Sequence, residues 1–553
     1  MAAVGSLLLL FVLGGVISGN KSLEAWCFEG ASGGSECTCG PGCEFCGSLF
    51  DDDGPRFHLM DQHGCAENDP NGPVFDPVHG VVHHFYQAHI AIPPGAGPDW
   101  GHFVSKDFVR WAALPTAIWN GVDYDGRVTP YDTYAIYSGS AAVIEGAGPN
   151  GGRGVVLIYP GLCEEESYAE CDTGTLLAQA VPAAYADDPL LTNWTKPSYN
   201  PIYNNTQRDP STPWKTDAGE WRLRTYDSTI YAATDDAALL AGDWYEVGVL
   251  EDLRTCECPS LYPLPPLTPG FGASGRLPSW VHKTSCDGDW WQLGDYVAGA
   301  PGEIGSFEAT PGWEDLFEQR KIDAGDFYAS KDFEYPIRDS NATRRINWGW
   351  ARVPPESAQT LPREITFNPR ARTLEQKPIL ELTDLRRRLE ANLSNVLLDD
   401  ATPLRLGLAK GVAKYSETFL SFDVVNATLL ALEVEGCAAC TINLTESRDL
   451  PVACGAARDV LRLLDDETSV DLRIFVDATF VEAYFQNGRV AITRSCSDPP
   501  VSRDADISVA ATPVATTDAR SPTSVRLRTL HAYSLNSIWV DADTVRAAPR
   551  VYW

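Results

Sequence analysis

From residue 55 onward the chain alternates short apolar runs with polar punctuation. Runs rich in Val, Ile, Tyr, Phe and Trp include GVVHHFYQAHI (80–90), AIYSGSAAVI (135–144), GVVLIYPG (154–161), EWRLRTY (220–226), WWQLGDYVAG (290–299) and DFYASKDF (326–333). Clusters of Gly, Pro, Asp and Asn separate them, which predicts β-strands joined by turns. The best helical pattern is LTDLRRRLEANL (382–393), with Leu382, Leu385, Leu389 and Leu393 on one face of a helix. Between about 55 and 350 the strand clusters recur roughly every 50 residues, a spacing that suits four-stranded propeller blades. A β-sandwich gives similar local patterns. Residues 354–373 are rich in Pro and polar side chains, which places a linker at 356–373. Beyond it the pattern is β again, at 419–436, 469–495 and 523–535, and reads as a sandwich over 374–553. Within the middle run Asn487-Gly488 is a hairpin signal.

The N-terminus differs in character. The apolar run SLLLLFVLGGVIS (6–18) is too short to span a bilayer. It fits a signal peptide over 1–19, although no Lys or Arg precedes the run; a short signal anchor is the alternative. Residues 20–54 carry Cys27, Cys37, Cys39, Cys43 and Cys46. These allow a zinc knuckle or a disulfide-tied extension, and an oxidising compartment favours the disulfides. Seven Asn-x-Ser/Thr sequons, at Asn20, Asn193, Asn204, Asn341, Asn392, Asn426 and Asn443, agree with secretion. The 15 cysteines are an odd number, so at least one is a free thiol or pairs between chains.

Composition narrows the function classes. A chain of 553 residues has room for several cores. A net charge of −32 repels phosphate backbones and argues against a nucleic-acid partner. Seven of the nine histidines fall between His58 and His102. His83 and His84 are strand neighbours, so they point to opposite faces, and no metal-ligand spacing emerges. No stable membrane insertion is expected after signal cleavage, and nothing in the sequence sets an oligomeric state.

Three carboxylates stand in unusual contexts. Asp69 lies between Asn68 and Pro70 and is followed by Asn71-Gly72, a strong turn signal. Asp209 sits beside Arg208 in TQRDPST, and Glu257 sits between two cysteines in RTCECPSLYP. Each alone reads as a loop residue. Together they supply what glycosidic hydrolysis needs: one carboxyl to protonate the leaving oxygen and another to attack the sugar or activate water.

The chain resembles glycoside hydrolase family 32, the invertases, fructan hydrolases and fructosyltransferases. NDPNG (68–72), RDP (208–210) and ECP (257–259) resemble its nucleophile, transition-state-stabiliser and acid/base boxes, in that order. Weaker blocks agree: FYQ (85–87), WGHFVSKDFVRW (100–111), SGSA (138–141), DAGDFYASKDF (323–333), RRINWGW (344–350), LPRE (361–364) and LRIFVDATFVEAYFQNGRVAIT (472–493). The resemblance implies an all-β chain, a five-bladed propeller over 55–355 followed by a C-terminal β-sandwich. It implies Asp69 as nucleophile, Glu257 as acid/base and Asp209 as transition-state stabiliser. It also implies sugar contacts from Asn68, Gln87, Trp100, Tyr137, Ser138, Arg208 and Trp350, with no metal and no cofactor. The chemistry would be retaining, with Asp69 and Glu257 roughly 5–5.5 Å apart.

The implied activity is a secreted β-fructofuranosidase acting on sucrose or fructan, in the extracellular space or a secretory compartment such as cell wall or vacuole. Alternatives are a fructosyltransferase and an inactive sugar-binding protein on the same fold; the three retained carboxylates argue against the last. Departures cluster at the sugar site. Ala66-Glu67 replaces the usual Trp-Met, so Glu67 would add a charge beside the nucleophile. Cys256 replaces a bulky residue, Ser260 an acidic one, and a tryptophan is missing near Gly95. These bear on substrate choice more than on reaction type. Cys258 is expected to stay a buried thiol. Burial and the charge of Asp69 are expected to raise the pKa of Glu257 while Asp69 stays ordinary.

Overall fold

In the computed structural model the described residues are 54–553, apart from 63–65, 90–96, 165–167, 170–174, 252, 273–274, 356, 399–401, 426–427, 438, 445–446, 497–499 and 514–524. The expected signal peptide, all but the last residue of the Cys-rich extension, the sequons at Asn20 and Asn426, and Gly95 lie outside them.

Five antiparallel meanders follow one another. The first pairs Glu67–Asp76, Val81–Ala88, Asp99–Ser105 and Trp111–Ile118 in chain order. The next four run over 135–206, 214–249, 257–321 and 327–378, with four to six strands each. The leading strand Glu67–Asp76 packs beside Ser140–Glu145 of the second sheet and Phe327–Pro336 of the fifth, which closes the ring. This is a five-bladed propeller. Neighbouring blades sandwich the leading strands, so Val74, Ala141, Leu261 and Phe327 on them are all buried.

Two six-stranded sheets follow. One orders Arg386–Leu398, Val525–Leu535, Tyr415–Asp423, Ser469–Asp477, Phe480–Phe485 and Val490–Ser495. The other orders Leu404–Arg405, Ile507–Pro513, Thr428–Val434, Cys440–Leu444, Asp449–Cys454 and Ala457–Arg462. Leu420, Phe422, Leu472 and Ile474 of the first meet Leu430, Leu432, Ile442 and Val452 of the second, forming a sandwich core. A shared cluster of Phe108, Trp111, Tyr335 and Trp348 with Phe475, Tyr484 and Ile538 joins sandwich to propeller. Beside it lies a dry ionic group: His58 reaches Asp477 at 2.8 Å and Glu482 at 2.9 Å, and Arg363 reaches Glu482 at 2.6 Å and Asp323 at 2.8 Å.

Two expectations are corrected. The helix over 382–393 does not form: Leu380–Leu385 is a 3-10 turn, and Arg386–Leu398 is a 13-residue strand paired with Val525–Leu535. Leucines four apart share a face in a strand as well as in a helix, so the pattern was ambiguous, and ladder pairing decided it. The linker over 356–373 is also replaced. Arg363–Asn368 and Thr373–Pro378 are strands of the fifth blade, with Ile365, Phe367 and Leu374 buried in it. The hairpin at Asn487-Gly488 is present, but as a four-residue loop in which Gln486, Asn487 and Gly488 all have positive φ. At Gly488 a Cβ would meet the Gln376 carbonyl oxygen at 2.2 Å.

Candidate active site

The segment around Asp69 is not a turn between strands. It lies within Glu67–Asp76, whose pairing with Val81–Ala88 slips between Glu67 and Pro70 and again between Asn71 and Val74. The bulges re-aim the strand where Asp69 sits. Gly72, at φ +38°, lets the chain pass against Ser140, whose carbonyl carbon a Cβ would approach to 3.2 Å.

Two other segments meet Asp69. Asp209 has φ 62°, and its backbone is pinned from both sides: Tyr226 N donates to Arg208 O at 2.9 Å, and Ser211 N donates to Arg224 O at 2.8 Å. Glu257 opens the strand Glu257–Pro263, which bulges immediately afterwards at Cys258, φ 46°. Lys283 holds that bulge: its buried Nζ donates to the carbonyls of Cys258, at 3.0 Å, and Ser330, at 2.5 Å. Left-handed geometry at two non-glycine residues costs on the order of 1–3 kcal/mol each and persists where surrounding bonds over-determine it.

Asp69 and Asp209 converge on Cys258, the chain neighbour of Glu257. Its Sγ donates to Asp69 Oδ2 at 3.4 Å and lies 3.9 Å from Asp209 Oδ2, and its amide donates to Asp209 Oδ2 at 3.0 Å. Cys258 is a buried free thiol, as expected. Ser138 Oγ donates to Asp69 Oδ2 at 2.5 Å and accepts from Gln87 Nε2 at 2.5 Å. Arg208 Nη2 donates to Glu257 Oε1 at 2.7 Å, and its Nε lies 3.9 Å from Asp209 Oδ2. Tyr328 OH donates to Glu257 Oε2 at 2.7 Å and reaches the Ser285 carbonyl at 3.0 Å.

Burial dominates the electrostatics. It pushes the Asp69 carboxyl up to about 6, aided by the charges of Asp209 and Glu257 and opposed by the Ser138 and Cys258 donors. Burial raises Asp209 as well, against the pull of Lys331, the Cys258 amide and Arg208. The Cys258 thiol is pushed well above its usual value by burial and by both aspartates, so it donates and does not ionise. The expected ordinary nucleophile is therefore corrected: Asp69 is itself shifted upward.

The other anticipated sugar contacts divide. Gln87, Ser138 and Arg208 belong to the hydrogen-bond network of the carboxylates. Tyr137 is half-buried within the electrostatic reach of Arg208 and Asp209. Asn68 is half-buried, its carbonyl accepting from Gln359 Nε2 at 2.8 Å. Trp350 is half-buried beside Tyr328, at 6.4 Å between ring centroids. Trp100 is a correction: it is 0% exposed, packed with Val74, Phe85 and Tyr159, and its indole donates to Tyr137 O at 3.0 Å. It supports the Tyr137-Ser138 backbone from behind. Glu67 is another: it turns inward, accepts from the Asp61 amide at 2.5 Å and from Gln359 Nε2 at 3.0 Å, and burial pushes its carboxyl well above the usual range. Its carboxyl is held by Asp61 and Gln359, away from the donors that bind Asp69. Sequence reasoning missed Tyr328, an aromatic on a strand that looks like core, and the Cys256–Cys286 disulfide that flanks Glu257.

Comparison with known proteins agrees with this architecture. The family model for the glycosyl hydrolases family 32 N-terminal domain matches residues 58–378, and that for the family 32 C terminal matches 380–520. A cell wall isozyme of β-fructofuranosidase from Zea mays is 30% identical over 364 residues, 58% of this chain and 54% of that protein. A fructan 6-exohydrolase from Triticum aestivum is 28% identical over 60% of this chain and 58% of its own length. The chain thus spans little more than half the length of these relatives. Among solved structures, fructan 1-exohydrolase IIa from Cichorium intybus superposes with a TM-score of 0.66 at 20% identity, covering 89% of this chain and 99% of that one. A β-fructofuranosidase from Schwanniomyces occidentalis complexed with fructosyl-erythritol gives 0.65 at 18%, covering 88% and 98%.

Proposed function

The chain belongs to glycoside hydrolase family 32, and from that premise we propose that it is a secreted, retaining β-fructofuranosidase releasing terminal fructose from sucrose or fructan. The observation that carries this reading is the gathering of three carboxylates from separate segments of the propeller: Asp69 and Asp209 meet at the Cys258 thiol, and Arg208 lies between Asp209 and Glu257.

Each group has a role that its contacts support. Both donors to Asp69 bond Oδ2, so Oδ1 is the oxygen presented to the anomeric carbon. In the first step an Oδ1 electron pair forms the bond to that carbon. The glycosidic C–O bond breaks, and Glu257 gives its proton to the leaving oxygen. In the second step Glu257 takes a proton from water, water oxygen bonds to the anomeric carbon, and Asp69 leaves as carboxylate. Asp209 accepts hydroxyls of the fructosyl ring, and Arg208, half-exposed, turns from Glu257 to the sugar as it binds. These bonds strengthen as positive charge grows on the ring, which is where they accelerate the reaction.

Secretion is part of the proposal. It rests on the N-terminal apolar run and the sequons, and relatives are named cell wall and insoluble isoenzymes. Purified mature protein on sucrose, inulin and levan tests the function. Equal glucose and fructose from sucrose is the expected result. Glucose in excess of fructose would move the reading to transfer, and no release from any of the three would overturn it.

A further inference from the structure

The disulfide Cys256–Cys286 lies beside the candidate acid/base. It closes the open end of the ladder between Glu257–Pro263 and Trp280–Ser285, in which Glu257 pairs with Ser285. The two cysteines flank that pair, with Cα atoms 5.6 Å apart, so the bridge adds a covalent rung next to Glu257.

The two ends it joins differ in regularity. On the Cys286 side is a tight hairpin: Cys286 N donates to Gly288 O at 2.8 Å, and the Trp290 indole donates to Cys286 O at 2.8 Å. Lys283 Nζ fixes the neighbouring Ser285 hydroxyl at 3.0 Å. On the Cys256 side the chain from 253 to 256 is irregular, held by side chains at Leu253 and Arg254, whose carbonyls accept from Ser228 Oγ at 3.3 Å and Arg224 Nη2 at 2.6 Å, with no such bond to the backbone of Cys256 itself among the described residues. Inside Glu257 the ladder is broken by the Cys258 bulge, with the next registered pair at Ser260. Glu257 therefore stands between an irregular segment and a bulge, where backbone pairing alone holds it weakly. Its side chain is about one-third exposed.

We infer that the Cys256–Cys286 disulfide is a positioning device for Glu257, tying the strand end that carries it to the tight hairpin and so setting where its proton is delivered. The inference rests on the reading of Glu257 as acid/base. It also gives Tyr328 a second purpose: its hydroxyl, which donates to Glu257, lies within 3.0 Å of the Ser285 carbonyl, so side chain and partner strand are referenced to one point.

The test is the double variant Cys256→Ser/Cys286→Ser on two substrates. Sucrose has a sugar alkoxide leaving group that needs the acid; 4-nitrophenyl β-D-fructofuranoside does not. Misplacing a general acid by about 1 Å costs on the order of 10²-fold. The expected result is a roughly 10- to 100-fold loss of kcat/KM on sucrose with less than about threefold on the nitrophenyl fructoside. Cys440→Ser/Cys454→Ser, in the sandwich core, is the control: it should lower heat stability and leave the ratio of the two rates unchanged. If the first variant fails to fold, folded wild type with that bridge opened by a phosphine and capped gives the same ratio. Equal losses on both substrates, no loss on either, or free thiols at Cys256 and Cys286 in native protein would each overturn the inference. A wild type inactive on both substrates would instead sink the β-fructofuranosidase reading itself.

Discussion

Replacing Asp69 with asparagine should abolish turnover and stabilise the protein at once. Burial beside Asp209 and Glu257 holds the Asp69 carboxyl at about 6 instead of 3.8. A carboxyl raised in the folded state binds its proton more tightly there than in the unfolded chain. Stability is then full below the unfolded value and falls as pH climbs from about 4 through about 6. The full linkage is roughly 3 kcal/mol, and Asp69 is partly open to solvent, so screening reduces it to about 1–2 kcal/mol. The substituted amide keeps an acceptor oxygen for the Ser138 and Cys258 donors and carries no charge. Asp69→Asn should therefore raise the apparent Tm by about 1–2 °C at pH 7.5 and leave it unchanged near pH 4. Activity on sucrose should drop by several orders of magnitude, because the attacking oxygen must be ionised. The assay is paired thermal melts across that pH range with rates measured on the same preparation. A variant less stable at neutral pH, or a gain that does not depend on pH, would refute the electrostatic argument; near-wild-type turnover would refute the chemical one.

Other perturbations test the surroundings. Ser138→Ala removes a donor to the charged form of Asp69, so the acidic limb of kcat/KM should move to higher pH by about 1 unit; an unmoved limb would contradict the role of that bond. Glu257→Ala should lose sucrose turnover yet keep the first step on the nitrophenyl fructoside, with azide restoring release; wild-type rates on sucrose would exclude Glu257 as the acid. Arg363→Met removes the buried guanidinium that Asp323 and Glu482 share and should cost about 3–5 kcal/mol, measured as denaturant midpoint; a change under about 1 kcal/mol would show that the ionic group does not brace the propeller against the sandwich.

The sequence disclosed the site better than it disclosed its environment. The boxes around Asp69, Asp209 and Glu257 are short contiguous segments, so pattern alone could single them out, and the structure brings them together. Their supports are non-local. Tyr328, Lys283 and Gln359 act from other strands; Tyr328 lies in a marked block, DAGDFYASKDF, but nothing in the string says which of its side chains reaches Glu257. Trp100 was mistaken for a sugar wall because its block lies beside the site in sequence, whereas strand alternation turns it into the core. The inward turn of Glu67 toward Asp61 and Gln359 is likewise invisible in a string of letters. The misread helix at 382–393 fell to a four-residue leucine spacing that two periods share. The misread linker fell to proline and polar content that belongs to a turn inside the fifth blade, with the apolar Ile365 and Phe367 marking the strand that follows.

The covalent intermediate offers the most direct test of the central claim. Glu257→Ala mixed with 4-nitrophenyl β-D-fructofuranoside, quenched in acid and digested, should yield the Asp69 peptide carrying one added hexosyl mass. Fragmentation should locate that mass on Asp69, and azide added before the quench should remove it. A full nitrophenol burst with no modified peptide, or a hexosyl mass on any other residue, would contradict the account.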